Sequence, residues 1–107
     1  MSGPSEPDTA SATAPGEALA PRRAALALLS EVLERRQPFD FVLETLPVFT
    51  GLAARDKAFV RMIAATALRR LGQIDDLILR ATDRREPPSP PALHNLLRMA
   101  AAQIVFC

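Results

Sequence analysis

From about residue 21 onwards, apolar residues recur along the chain at intervals of three and four positions. That spacing places them on one face of an α-helix, and no stretch shows the strict alternation of a half-buried strand. The pattern therefore predicts an all-α fold, a helical bundle of about five helices.

Three prolines mark the ends of the first two predicted helices. The first helix runs from Pro21 to Arg36, with Pro21 at its opening position and Pro38 after its end. A short second helix follows and is closed by Pro47. The residues expected to face the core are Ala25, Leu28, Leu29, Val32 and Leu33 in the first helix, and Phe39, Val42, Leu43 and Leu46 in the second.

The third predicted helix is the longest and follows a turn at Thr50 and Gly51. At about 100° per residue, its apolar positions occupy one half of the circumference, while Arg61, Ala65 and Arg69 lie together on the other half. Gly72 is expected to stop this helix in a left-handed conformation. The expected core residues are Phe59, Val60, Ile63, Ala64, Ala67, Leu68 and Leu71.

Two further helices are predicted after Gly72. The fourth opens at residues 74–76 with Asp75 and Asp76 against its positive end, and a loop containing Arg84 and Arg85 follows it. In the fifth, Ser89 is the expected N-cap and Pro90 the first residue. Their expected inward residues are Ile74, Leu77, Ile78 and Ala81, then Leu93, Leu96, Leu97, Ala100 and Ile104.

The two ends of the chain differ in character. Met1 to Ala20 lacks basic and aromatic residues, which predicts a disordered tail before a domain over residues 21–107. The last residues, Ile104 to Cys107, are apolar without a stop signal, so we expect a fragment whose exposed C-terminal helix self-associates. Signal, transit and membrane-spanning patterns are not seen, which favours a cytoplasmic protein with no membrane partner.

The predicted tail, residues 1–20, and the rest of the chain, called the body here, differ in charge. All thirteen basic residues lie after Ala20, against nine acidic residues there, so the body carries a formal charge of +4 although the whole chain carries +1. Twelve of the thirteen are arginine, whose planar guanidinium suits phosphate. An Arg-rich, Lys-poor composition is also what a coding bias produces, so a polyanionic partner is one of two explanations.

Seven basic residues are the candidates for nucleic-acid binding. Arg22 and Arg23 are expected in the first turn of a helix, where the macrodipole disfavours cations and an external anion would compensate. Arg61 and Arg69 lie two turns apart with a small residue between them, which lets a phosphodiester backbone approach. The full set is Arg22, Arg23, Arg55, Lys57, Arg61, Arg69 and Arg70. The alternative is an ordinary solvated surface, in which Asp56 caps the third helix or pairs with an arginine.

Catalytic and metal-binding patterns are not found in the sequence. His94 has no neighbouring ligand set, Cys107 is the single cysteine, and the four glycines are scattered. With no Trp or Tyr and five Phe expected in the core, base stacking is a poor mechanism. The sequence therefore predicts no catalytic residue and no metal site in this chain, with contacts mainly to phosphate.

Three segments resemble NusB-like domains in order and spacing. They are residues 21–26, the run from Arg55 through Arg69 to Ile78, and residues 97–106. The run resembles most closely the N-terminal domain of the RsmB (Sun/Fmu) family of bacterial 16S rRNA cytosine-5 methyltransferases. The resemblance covers about residues 21–107.

The resemblance implies a NusB-like bundle, here without its final helices, that docks 16S rRNA in a bacterial cell. It also implies a methyltransferase domain, joined in cis, that binds S-adenosylmethionine and carries the catalytic cysteine. Neither the glycine-rich cofactor motif nor the Pro-Cys motif of that domain is present in these residues. NusB-like domains also act through protein partners, so the alternative is a protein-interaction or transcription-antitermination module.

Overall fold

A computed structural model describes the backbone of residues 15–83, 86–88 and 90–107, and all regular structure within them is helical. The prediction of an all-α fold is confirmed. The predictions for Arg84, Arg85 and Ser89 lie outside the described residues. The elements are α1 (Pro15–Leu33), α2 (Phe39–Thr45), α3 (Pro47–Thr50), α4 (Ala54–Arg69), α5 (Leu71–Thr82), α6 (Pro91–Ala101) and a π-helical segment (Ala102–Phe106).

Helix α1 is shifted towards the N-terminus relative to its predicted position. It begins at Pro15, so Pro21 lies inside it and residues 15–20 of the predicted tail are helical. An internal proline removes one backbone hydrogen bond, but residues 17–20 before it, Glu-Ala-Leu-Ala, are all good helix formers. The helix ends at Leu33 rather than Arg36, because the chain reverses through Arg36 at a φ of 57°.

The second helix lies where it was predicted, and a short helix that was not predicted follows it. Leu46 adopts an extended conformation after α2, with φ −81° and ψ 112°, and Pro47 opens α3 instead of ending the element before it. Proline suits a first helical position because its missing N–H has no partner there. The described chain consequently has one more α-helix than predicted, and Phe49 of α3 is buried in the core.

The break between α4 and α5 lies at Arg70, and Gly72 lies inside α5. Gly72 was predicted to stop the helix, but no glycine in the described residues has a positive φ. Because α5 begins at Leu71, Asp75 and Asp76 are beyond its first turn and do not act on its positive end. Asp76 instead pairs with Arg80 at 3.0 Å on the surface.

The core is centred on α1 and α4, which pack against each other. Leu28 and Leu29 of α1 and Val60 and Ile63 of α4 are fully buried, as predicted. Burial of such a side chain contributes about 1.5–3 kcal/mol. The remaining buried apolar residues are Ala24, Ala25, Val42, Phe49, Ala64, Ala67, Ile74, Ile78, Met99 and Ala102.

Helix α6 is rotated relative to the prediction. Leu93, Leu96 and Ile104, expected in the core, are 40%, 43% and 80% exposed. The residues that face the bundle are His94, Asn95, Met99 and Ala102, which are all buried. On α5, Leu77 and Ala81 were also expected inside and are exposed. The most apolar face of a helix is usually its buried face, and α6 departs from that rule.

A polar network explains the rotation of α6. Arg98 donates from Nε to Oδ1 of Asp75 and from Nη2 to Oδ2, both at 2.8 Å, which is a bidentate pair. His94 Nε2 lies 2.9 Å from Oδ1 of the same carboxylate, which only accepts when ionised, so the imidazole donates. Arg98 Nη1 donates to Asn95 Oδ1 at 2.9 Å, and Asn95 Nδ2 donates to Glu34 Oε2 at 2.7 Å. The network joins α5 and α6 to the residue that follows α1.

The π-helical segment ends the described chain with one wide turn. Phe106 is partly buried and packs against the core, while Ile104 points outwards. The guanidinium carbon of Arg70 lies 4.8 Å from the centre of the Phe106 ring, a cation–π contact. This contact connects the α4–α5 break to the π-helical segment.

We expect acid to remove the contribution of Asp75 to stability. Burial acts to raise the pKa of Asp75, but the hydrogen bonds and charge of Arg98, with His94, outweigh burial and lower it. A lowered folded-state pKa stabilises the fold above the unfolded value of about 3.9 and stops doing so as the pH falls through the folded value. Urea unfolding of the wild type and Asp75→Asn should therefore give a stability difference that shrinks below about pH 4. A constant difference would contradict this.

Removal of Arg98 should destabilise the protein clearly. Arg98→Met leaves a partly buried carboxylate without its bidentate partner, and we expect a loss of about 1.5–3 kcal/mol in the free energy of unfolding. Arg80→Met is the matched control, since Arg80 and Asp76 are 77% and 58% exposed and such pairs contribute about 0–1 kcal/mol. Urea denaturation followed by circular dichroism measures both, and equal losses would show that the network contributes nothing special.

Candidate nucleic-acid interface

The basic residues of α4 lie on its solvent side. Its buried face is formed by Val60, Ile63, Ala64, Thr66 and Ala67. At about 100° per residue, Arg61 and Arg69 lie on either side of the line opposite that face, about 80° from each other. Both are exposed, as predicted, and the small Ala54, Ala58 and Ala65 lie along the line between them.

Arg22 joins this surface through an aromatic ring. Its guanidinium carbon lies 5.9 Å from the centre of the Phe59 ring, so the planar cation lies over the ring face. Arg55 is one turn before Phe59 on the same flank of α4. The structure therefore brings Arg22 of α1 to the flank of α4 on which Arg55 also lies.

The other candidates are distributed more widely. Lys57 lies on the flank opposite Arg55, next to Arg61, and is half-buried. Arg23 is exposed on the outer side of α1, about 100° from Arg22. Arg70 is at the far end of α4, where it contacts Phe106 and donates to Gln73 Oε1 at 3.2 Å. Arg70 therefore has contacts within the domain itself.

Arg22 and Arg23 were predicted to lie in the first turn of a helix, and that prediction is wrong. With α1 beginning at Pro15, they are its eighth and ninth residues rather than members of its first turn. The macrodipole acts only within the first turn and places no penalty on them. Whether either residue is a candidate for RNA binding now depends on where it lies relative to α4. Arg22 is the better candidate because it lies beside α4.

The outward side of α4 is free of acidic side chains. Asp56 is the helix's one acidic residue, and on the wheel it lies on the buried side. It neither caps α4, whose N-cap is Ala53 without a side-chain bond, nor takes part in the ion pairs of the described chain. Arg55, Lys57, Arg61 and Arg69 likewise have no carboxylate partner among the described residues. Their charges are available to an external anion.

Other kinds of site have little support in the described part of the chain. No three His, Cys, Asp or Glu side chains there lie close enough together to hold a metal ion. His94 is engaged with Asp75 and Cys107 is exposed at the surface. A helix long and apolar enough to cross a membrane is not found among the described helices.

The comparison with known families agrees with this arrangement. The sequence profile described as the NusB family matches residues 19–107. The chain belongs to the NusB family. No curated protein and no solved structure matches it. NusB domains typically bind RNA, which gives the basic side of α4 a chemically suitable ligand.

Two features of this NusB domain were missed in the sequence. The polar network of Asp75, His94, Asn95 and Arg98 was not foreseen, although three polar residues on one side of α6 were the available signal. The contact between Arg22 and Phe59 was also missed, because only packing brings α1 beside α4. The first feature orients a helix, and the second orients a candidate RNA-binding residue.

Proposed function

We propose that this NusB domain is the RNA-binding accessory part of a bacterial 16S rRNA cytosine-5 methyltransferase. In this proposal the domain docks rRNA through the basic side of α4 and through Arg22. The reaction itself belongs to a methyltransferase domain joined in cis, which binds S-adenosylmethionine. The NusB domain has no catalytic role, and its location is the cytoplasm.

The observation that carries the proposal is the unpaired positive charge on the outward side of α4. Arg55, Arg61 and Arg69 are exposed there and have no carboxylate partner among the described residues, and the opposite side of the helix packs in the core. Arginine forms charge-assisted, bidentate hydrogen bonds with phosphate oxygens. Contacts of this kind position a protein on RNA and make its affinity depend on salt.

The methyltransferase part of the proposal is supported by the sequence resemblance. The run from Arg55 through Arg69 to Ile78 is similar to the N-terminal domain of the RsmB (Sun/Fmu) family. A domain that binds RNA mainly through phosphates has little means of selecting one base. Positioning the substrate for a separate catalytic domain is a task that such a surface suits.

Binding should be salt-dependent and sensitive to charge reversal on α4. We expect the full chain to bind a 16S rRNA hairpin, and Arg61→Glu with Arg69→Glu to weaken binding about tenfold or more. The slope of log affinity against log salt should fall by about 0.7–0.9 for each phosphate that the variant no longer neutralises. Fluorescence anisotropy at about 50 and 200 mM salt measures both quantities.

The matched control is the double variant Arg35→Glu with Arg80→Glu. It changes the total charge equally, and both side chains are exposed, at 74% and 77%, and belong to other parts of the chain than α4. The control should bind nearly as well as the wild type, and circular dichroism should show both variants folded. Equal weakening in both variants would mean that overall charge, not α4, governs binding, and absence of binding at low salt would refute the proposal.

The outward apolar side of α6 favours a second candidate, a protein-interaction or antitermination-type module. Leu93, Leu96 and Ile104 lie on this side with Leu77 of α5 also exposed, and monomeric proteins rarely expose a contiguous apolar patch without a partner. In the absence of another protein, such a surface is available to a second copy of the chain.

This candidate predicts concentration-dependent self-association at micromolar concentration. Leu96→Glu places a charge on the patch and should restore a monomer, whereas Phe41→Glu, at a residue 52% exposed on α2, should not. Sedimentation velocity distinguishes these outcomes. A wild type that stays monomeric throughout the micromolar range would remove the support for self-association.

A further inference from the structure

We propose that α6 has two packing orientations, and that the polar network around Asp75 is the latch that keeps its apolar side at the surface. In the second orientation α6 is turned by about 180° about its own axis, with its leucines inside and its polar residues outside. The inference does not depend on RNA binding, because the residues involved belong to α5, α6 and the end of α1.

The two sides of α6 lie opposite each other on the helix. The inward set is His94, Asn95, Arg98 and Met99, and the opposite set, called the leucine side here, is Leu93, Leu96, Leu97 and Ala100. At about 100° per residue, the centres of the two sets are about 180° apart. A half-turn about the helix axis therefore exchanges one set for the other.

The observed orientation runs against the hydrophobic preference of α6. The side of a helix that is richest in apolar residues normally faces the core. Here the inward side carries three polar residues and one methionine, while three leucines and an alanine occupy the opposite side. Burial of apolar surface alone would therefore select the turned orientation.

The carboxylate of Asp75 opposes that preference. It accepts the bidentate pair from Arg98, both hydrogen bonds at 2.8 Å, and lies 2.9 Å from Nε2 of His94. Turning α6 would remove all of these donors at once and leave a carboxylate that is only 29% exposed without a partner. Asp75 is therefore the central member of the latch, and Asn95 adds a second hold through Glu34.

Among the described residues, neither end of α6 fixes its rotation through a continuous α-helix. Residues 86–88 before it are not helical, and the segment Ala102–Phe106 after it is π-helical. A π-helical hydrogen bond joins residues five apart instead of four, so this segment is already out of phase with α6. An element with two packings that differ little in free energy acts as a switch, and here the network sets its position.

Asp75→Leu releases the latch in the full chain. Leucine accepts no hydrogen bond, so His94 and Arg98 lose their acceptor and no longer favour the inward side. Asp76→Leu is the matched control, because it is the same substitution at the next residue, whose carboxylate is 58% exposed and pairs with Arg80 at the surface. Both changes are made together with Cys107→Ser, which removes the exposed native thiol.

Two reporter thiols on opposite sides of α6 distinguish rotation from loosening. Leu96→Cys reports on the leucine side, where residue 96 is 43% exposed, and Met99→Cys reports on the inward side, where residue 99 is 4% exposed. We expect Asp75→Leu to slow thiol labelling at position 96 and to speed it at position 99, each about tenfold, with the helical circular dichroism signal retained. Asp76→Leu should change both rates by less than about twofold.

Only opposite changes at the two positions support the inference. A helix that merely loosens labels faster at both positions, and unchanged rates mean that α6 stays in place without the latch. Loss of the helical signal in Asp75→Leu also overturns the inference, because the network would then be required for folding and would not choose between two packings.

Discussion

The carboxylate of Asp75 determines which side of α6 faces the bundle. It accepts hydrogen bonds from His94 and Arg98, and Asn95 extends the same network to Glu34. A partly buried carboxylate without these donors would be costly, since removing one partner of a buried ion pair leaves an uncompensated charge. Satisfying Asp75 therefore directs the polar side of α6 inwards, and the leucines on its other side are left at the surface.

That constraint explains where prediction from the sequence succeeded and where it failed. In α1 and α4 the apolar stripe is also the buried stripe, so Leu28 and Ile63 were assigned correctly from spacing alone. In α6 the polar residues face inwards because their partners come from α5 and from the end of α1. No periodicity within α6 contains that information, because the partners are 19–61 residues away in sequence. Some helix boundaries were also predicted incorrectly. Gly72, for example, was expected to end a helix and lies inside one.

In the candidate RNA surface too, features of a single helix were predicted correctly, and features that depend on packing were not. Arg61 and Arg69 of α4 were identified correctly as exposed, because a helix wheel needs only the sequence of that helix. The placement of Arg22 beside Phe59 required the packing of α1 on α4, and the contact of Arg70 with Phe106 required the π-helical segment to lie beside the α4–α5 break. Membership of the NusB family and its typical ligand agree with a surface that the local pattern had already indicated.

The position of Arg22 over Phe59 also affects the entropy of binding. A long charged side chain normally loses up to about 2 kcal/mol of rotamer freedom when it is fixed in a complex. The aromatic ring has already restricted Arg22 in the unbound domain, while Arg61 and Arg69 have no comparable support among the described residues. In the proposed complex with RNA, Arg22 would therefore lose less side-chain freedom on contact with a phosphate than Arg61 and Arg69 would.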